Sequence, residues 1–574
     1  MKATQLKKYK RTYVPAEFEP TDFEAFEPYF AELLKRDLNS IEDLEKWLLD
    51  ASELLASFEE EKAQRYIAYT CDTRDEQAQS KHMQYIEKVN PRIAEAVIGL
   101  FNRVAECPFT GDVDQRRFSM QLRSIENSID IFKEENLKLS VDESRLSAEY
   151  QQTIGSVMVE FDGRRRTLPQ MGLYSDSPDR SVREGAFRAV NKELGALRDE
   201  FDSNYDKLLD VRYRMARNAG FADYRGLRFR QLERFDYGLK ECYDFHRGVK
   251  EHAVPLARKL EQAQKDALDV DSLRPWDLEV DPEGRPPLRP FSDVNDLVAG
   301  VGEIFEKIHP TLGAHFQVLV ENGSLDLATR EGKAPGGYQY TLSERRMPFI
   351  FMNAAGMQSE VETLLHEGGH AFHAIEHRDD PVLYNRGGPI EFCEVASMSM
   401  EFIGLPFFDR FYDTEEEADR ARYHFLKRSL VLLPWISCVD LFQHWAYTHP
   451  GHTREERTAA WLDIRAKYST GVIDWSGLDA EREFRWQRQG HIFGMPFYYI
   501  EYGIAQMGAL QVWANYRRDP EQAIADYLKA LSLGRSRSLP ELFEAAGIEF
   551  DFGPDKMSGL LKMVEDELNS MEMI

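Results

Sequence analysis

The sequence predicts a mostly α-helical protein with a few short strands, and three observations carry that prediction. Hydrophobic residues make up 43% and charged residues 30% of 574 positions, a globular composition with a heavily charged surface. Apolar residues recur three and four apart through most of the chain ahead of a proline-rich break at 269–292. Only from about 316 onward does the texture change to short apolar runs between Gly-rich turns.

Taken in order, residues 1 to about 150 read as helix after helix. SIEDLEKWLLDASELLASFEEEKAQRYIAY sets Leu, Ile, Phe and Tyr among Glu and Lys at helical spacing. The charged faces read as solvated surface on a packed helical layer. Around 157–168 the pattern alternates on both sides of Asp162-Gly163, the signature of a short hairpin. Helical periodicity returns from Ser181 to about Asn218. The break at 269–292 carries five prolines and closes the helical section. Beyond it, FQVLV (316–320), the stretch from Gly323 to Leu342, and RRMPFIFMN (345–353) read as short strands. Pro348 near the start of the last run suggests an edge strand, where a missing N–H is tolerated. No 20-to-50-residue repeat and no low-complexity tract is present.

Several function classes are excluded early. Lys plus Arg total 72 against 99 Asp plus Glu, a net charge of −27, which repels phosphate backbones and disfavours nucleic-acid partners. The longest apolar stretch, Leu430 to Val439, holds Pro434 and Ser437 and falls well short of the roughly 20 residues of a membrane span. The amino-terminal MKATQLKKYKRTYVP has basic residues but no apolar core after them, so a secretory signal is not expected. Five cysteines are scattered with no CxxC pair, which argues against both a disulfide framework and a thiolate zinc site. A reducing cytoplasm is the expected compartment.

The most informative segment runs from Gln358 to His377. Ser359 followed by Glu362 reads as a capping box, and Val361, Leu364, Leu365, Phe372 and Ile375 supply a buried stripe. Within it stands His366-Glu367-Gly368-Gly369-His370, an HExxH motif. Four residues turn a helix through about 400°, so both imidazoles share a face one turn apart and reach one zinc ion. Glu367 is offset by about 100° and faces water beside the metal rather than the metal itself. From composition, chance supplies at most about 0.06 such motifs in a chain of this length. Two glycines inside the helix each cost roughly 1 kcal/mol relative to Ala, which implies close approach by a neighbour. A catalytic zinc needs a third protein ligand. His373 and Glu376 do not fit the extended metzincin pattern, and the next helical stretch, after Pro389, offers Glu391, Glu394 and Glu401. Glu394 and Glu401 lie seven apart and share a face, so one can ligate while the other supports a ligand imidazole; Glu391 reads as a charge at the helix start.

The motifs LLHEGGHAFH, EFCEVAS and GHIFGMPFYYIEYGIAQMGALQVW, with DRSVREGAFRAV upstream, resemble the thimet oligopeptidase and oligoendopeptidase F family of zinc endo-oligopeptidases. The likeness covers roughly residues 120 to 560 and is strongest to bacterial oligoendopeptidases. It implies a zincin-like helical body with a small β-sheet beside the active-site helix and a deep substrate channel. Residues 1–200 would form one wall of that channel and 201–574 the catalytic region. The resemblance makes His366, His370 and Glu394 the ligands of one Zn2+ per chain and Glu367 the general base and acid. It places His491, Tyr498, Tyr499 and Tyr502 opposite the metal as donors to the oxyanion. The Met347–Asn353 strand and the Gly336-Gly337-Tyr338 turn would hold the substrate backbone as an added strand. The expected partners are short unfolded peptides, with no nucleic acid or membrane, and either a monomer or a small homo-oligomer. A related helical zinc carboxypeptidase is the near alternative. A catalytically inactive peptide-binding protein is the non-enzyme alternative, but its mark, a lost ligand or lost Glu, is missing here.

Overall fold

A computed structural model of the chain describes residues 7–334 and 336–571; the first six residues of the basic amino-terminal segment lie outside them. The described residues are mostly helical, with five short strands. The helices that matter below are α1 (Ile41–Cys71), α2 (Arg180–Ala196), α3 (Arg198–Asn218), α4 (Leu239–Gly248), α5 (Val294–Ile308), α6 (Pro310–Glu321), α7 (Gln358–Glu376), α8 (Ile390–Gly404), α9 (Glu415–Thr448), α10 (Tyr499–Arg518) and α11 (Pro520–Ser532). In α1, Leu44, Trp47, Leu48, Ala51, Leu54 and Phe58 form the buried stripe, and the Ser40 hydroxyl caps the start by accepting from the Asp43 N–H. The expected 181–218 helix is two helices, α2 and α3, broken at Leu197.

Strands β1 (Met158–Phe161) and β2 (Arg164–Thr167) form the expected hairpin. Asp162 (φ 50°) and Gly163 (φ 67°) both take the left-handed backbone that a two-residue turn of this kind requires. Strands β3 (Leu325–Ala328), β4 (Tyr338–Leu342) and β5 (Met347–Ala354) make a second sheet in the order β3-β5-β4, parallel between β3 and β5 and antiparallel between β4 and β5.

Two expectations are corrected here. FQVLV is not a strand but the body of α6: His309 Nδ1 caps its start by accepting from the Thr311 N–H, and Leu312, Phe316 and Leu319 form a helical buried stripe. A five-residue apolar run fits either period, and the cap and proline at the helix start decide it. MPFIFMN is the central strand rather than an edge. Its run of buried residues on both faces is what a doubly covered strand shows. Pro348 is accommodated because β3 begins its pairing only at Ile350, leaving β4 as the one neighbour at that point.

The chain folds as two compact units interleaved along the sequence. One gathers the residues up to Asp130, Arg289–Ala418 and Gly508–Phe550; the other gathers Ile131–Leu288, Asp419–Met507 and the residues from Asp551 on. In the first, α7 packs on β4 and β5 and against α5, α6, α8 and α11. Phe305 of α5 meets Phe372 of α7 edge-on at 4.7 Å between ring centroids, and Val361, Leu364 and Leu365 are fully buried.

Candidate metal centre

Helix α7 starts two residues earlier than its sequence suggests. Glu360, not Glu362, reaches back: its Oε2 accepts from the N–H groups of Ala355, Gly356 and Met357 at 2.8 Å each. One carboxylate thereby satisfies three amides at the helix entry and complements the dipole there. Helix α8 lies directly on α7, and the glycines explain how. A Cβ on Gly369 would sit 2.5 Å from Ser397 Cα and 2.6 Å from the Ala396 carbonyl oxygen, while one on Gly368 would meet the Phe305 ring at 2.5 Å. Backbone contact of this kind brings Glu394 of α8 to the two imidazoles of α7.

Ligand atoms of His366, His370 and Glu394 all lie within 4.8 Å of one another. His366 Nε2 is 3.4 Å and His370 Nε2 is 3.8 Å from Glu394 Oε2. Bonds of 2.0–2.2 Å around a tetrahedral zinc put neighbouring ligands roughly 3.3–3.6 Å apart, so the donor set fits that ion. His366 Nδ1 stands 2.6 Å from Glu401 Oε1; a carboxylate can only accept, so Nδ1 carries the hydrogen and the Nε2 lone pair is left for a metal. His370 hydrogen-bonds the backbone of Cys393, and the Ser397 hydroxyl donates to Glu394 Oε2 at 3.3 Å. Glu391 lies in the first turn of α8 but is buried, not a solvated charge, and neither it nor Glu401 joins the convergent group. His373 and Glu376 are used elsewhere: His373 stacks edge-on against His377, and Glu376 pairs with His315 at 2.5 Å.

Glu367 is buried beside this group. Burial pushes its carboxyl up to about 7, with Glu394 and Glu401 adding to the rise and His366 and a backbone hydrogen bond from Gln339 of β4 opposing it. Burial holds His370 down to about 4, with Glu394 opposing the fall and His366 adding to it, which keeps the ring neutral and able to ligate. For His366 burial works downward but the hydrogen bonds to Glu394 and Glu401 outweigh it.

The other expected residues form a cluster in the second unit. His491 lies 4.9 Å from Tyr499 and 5.9 Å from both Tyr498 and Tyr502, ring centroid to centroid, and Tyr502 is 5.3 Å from Tyr498 and 5.5 Å from Tyr499. Two residues the sequence reading missed orient it. The Trp435 indole N–H can only donate, and it donates to Gln489 Oε1 at 2.8 Å, which turns the Gln489 amide N–H toward His491 Nδ1 at 2.7 Å. Nδ1 therefore accepts, and the neutral imidazole presents its Nε2–H as a donor. Burial pushes the Tyr499 phenol up to about 12, so it too remains a donor. Phe497, just before the tyrosines, holds a left-handed backbone (φ 63°) that costs a bulky residue about 1–2 kcal/mol. Its carbonyl accepts from the Arg234 guanidinium, which also pairs with buried Glu501 at 2.8 Å. No spacing rule signals Trp435, Gln489 or Arg234, because each contact spans more than 50 residues or depends on a side-chain orientation.

Residues 173–555 match the profile of peptidase family M3, and residues 14–132 match the peptidase M3 N-terminal domain. The chain belongs to peptidase family M3. This M3 chain is 22% identical over 481 residues to oligopeptidase PepF of Bacillus subtilis (strain 168), a match spanning 77% of the chain and 68% of that protein. It is 21% identical over 423 residues to the chromosomal oligoendopeptidase F of Lactococcus lactis subsp. cremoris, spanning 70% and 65%. Among solved structures, PZ peptidase A with an inhibitor superposes with a TM-score of 0.90 at 29% identity, covering 97% of this chain and 99% of that one. The mostly helical fold and the metallopeptidase family expected from the motifs are both met. As in the sequence reading, no helix among the described residues is long and apolar enough to cross a membrane, and no disulfide joins any of the five cysteines.

Proposed function

We propose that this M3 peptidase is a zinc-dependent endo-oligopeptidase acting on short unfolded peptides. The observation that carries the proposal is the convergence of His366, His370 and Glu394 with buried Glu367 one position from a ligand. A zinc ion held by those three residues supplies Lewis acidity, polarising a peptide carbonyl and acidifying water to a pKa of about 7. Glu367 accepts the proton of the attacking water on its carboxylate and returns it to the leaving amine; a carboxyl raised by burial is suited to both transfers near neutral pH. Glu401 holds the His366 ring in the ligating tautomer. His491 through Nε2–H, with Tyr498, Tyr499 and Tyr502 through their hydroxyls, is assigned to the developing oxyanion, supported by the donor orientation that Trp435 and Gln489 impose. Strand β4 pairs only with β5 among the described strands, and its Gln339 backbone bonds Glu367, so its edge is where a peptide would add as a strand beside the base. Five cysteines without a disulfide support a cytoplasmic setting.

Two experiments test the assignments. Glu394→Ala should empty this centre of zinc and abolish peptide hydrolysis while the helical circular dichroism stays; unchanged zinc affinity at the centre would sink the third-ligand assignment. Single Tyr→Phe changes at 498, 499 and 502 should lower kcat about 10²–10³-fold with little change in KM at whichever phenol donates. If all three variants and His491→Ala keep normal kcat, the cluster has no part in the reaction.

A further inference from the structure

A second convergence of ligand atoms lies in the other compact unit. Helix α4 carries Cys242 and His246, and helix α9 carries Asp440 and His444, each pair four residues apart. That spacing sets both members of a pair on one helix face, the same device by which α7 presents His366 and His370. All four side chains are buried, Cys242 and Asp440 completely. Cys242 Sγ, an Asp440 carboxylate oxygen and a His444 ring nitrogen lie within 4.8 Å of one another. His246 Nε2 and His444 Nε2 approach the same oxygen, Asp440 Oδ2, to 3.0 and 3.1 Å.

At those distances both imidazoles can hydrogen-bond Asp440, but neither contact is well aligned. Asp440 Oδ1 and the Nδ1 atoms of His246 and His444 have no hydrogen-bond partner. A buried polar atom left unpaired is destabilising, so three in one cluster call for a partner. Imidazole and carboxylate atoms that crowd together with poor hydrogen-bond alignment are able to serve as ligands around a point between them. The two imidazole nitrogens stand a few tenths of an ångström closer to Asp440 Oδ2 than the roughly 3.3–3.6 Å edge of a tetrahedral zinc site. The charges agree as well. A thiolate and a carboxylate contribute −2 and two neutral imidazoles contribute nothing, so a divalent cation leaves the buried cluster neutral. The rings of Tyr243 and Phe497 pack on His444 at 5.4 and 5.0 Å, closing the cluster from water.

We propose that Cys242, Asp440 and His444 form a second, buried, structural site for a divalent transition metal, zinc by its donor set, with His246 beside Asp440 as the nearest fourth donor. The absence of CxxC pairs speaks only to sites built from several thiolates, whereas this one combines C-x₃-H with D-x₃-H from helices nearly 200 positions apart. With a ring against His444, Phe497 ties the site to the strained turn that precedes Tyr498. The metal would thus brace that segment without touching substrate.

Full-length protein produced in zinc-depleted, cobalt-supplemented medium tests the proposal, since the metal is then present as the chain folds. Two cobalt ions per chain are expected, with a near-ultraviolet thiolate-to-cobalt charge-transfer band that two histidines and a glutamate cannot give. Glu394→Ala should keep the band and one metal; Cys242→Ser should lose the band and keep one metal at the catalytic centre. Wild-type protein holding a single metal, with no thiolate band, would overturn the second site. That wild-type result decides the matter even if Cys242→Ser fails to fold.

Discussion

Glu367 stands where burial and position meet: it is fixed on the helix that carries both imidazoles, and its carboxyl is buried. Glu367→Gln keeps the side-chain volume and removes the proton acceptor. The variant should retain zinc at the centre while kcat falls by about 10²–10⁴-fold or more. Near-normal turnover in a zinc-loaded Glu367→Gln protein would rule this residue out as the base. His366, Glu367 and His370 are legible in the sequence because their geometry is internal to one helix. Glu394 needs the resemblance, since three acids share its stretch and only tertiary packing selects among them. The start of α7 is misplaced because Ser359-x-x-Glu362 offers a plausible cap two positions later, and three amide hydrogen bonds to the Glu360 carboxylate outcompete it. The Cys242–Asp440 cluster is not legible at all, because each helix supplies only half of it.

At the scale of elements, the site depends on how closely α7 and α8 approach. Gly369→Ala would press a methyl into the backbone of Ala396 and Ser397, which cannot swing aside as a side chain can. The helices must part, costing about 1–3 kcal/mol and moving Glu394 away from the imidazoles. Thermal denaturation should therefore show a lower Tm, and zinc titration a weaker centre. Gly155→Ala is the control: that glycine ends the helix Glu135–Gly155 with open space where a Cβ would go, so Ala should be neutral or stabilising by up to about 1 kcal/mol. Equal behaviour of the two variants would mean that the α7–α8 contact does not set the ligand geometry. The helices and the Asp162-Gly163 hairpin are readable from periodicity and turn chemistry, whereas FQVLV and MPFIFMN are short apolar runs in which period alone cannot separate helix from strand or edge from centre. Caps and sheet neighbours settle those two, and neither is local to the run.

For the whole molecule, the least legible feature is the interleaving of two compact units from three stretches each, since no local pattern marks where the chain crosses between them. On the proposed reading, a net charge of −27 would draw cationic peptides toward the protein at low salt. Adding a substrate as a strand at the β4 edge requires an extended backbone, and a folded protein offers one only by local unfolding, at up to about 5–15 kcal/mol. The central claim is internal cleavage of short peptides by the His366, His370, Glu394 and Glu367 constellation. Its most direct test is mass spectrometry of zinc-loaded protein incubated with short peptides that are acetylated at one end and amidated at the other, beside the same peptides with free ends and a stable folded protein. The expected result is internal cleavage of blocked and free peptides alike, absent in Glu367→Gln, with the folded protein intact. Blocked peptides left whole while free ones lose residues stepwise from the carboxyl end would contradict the endopeptidase reading and make the protein a carboxypeptidase.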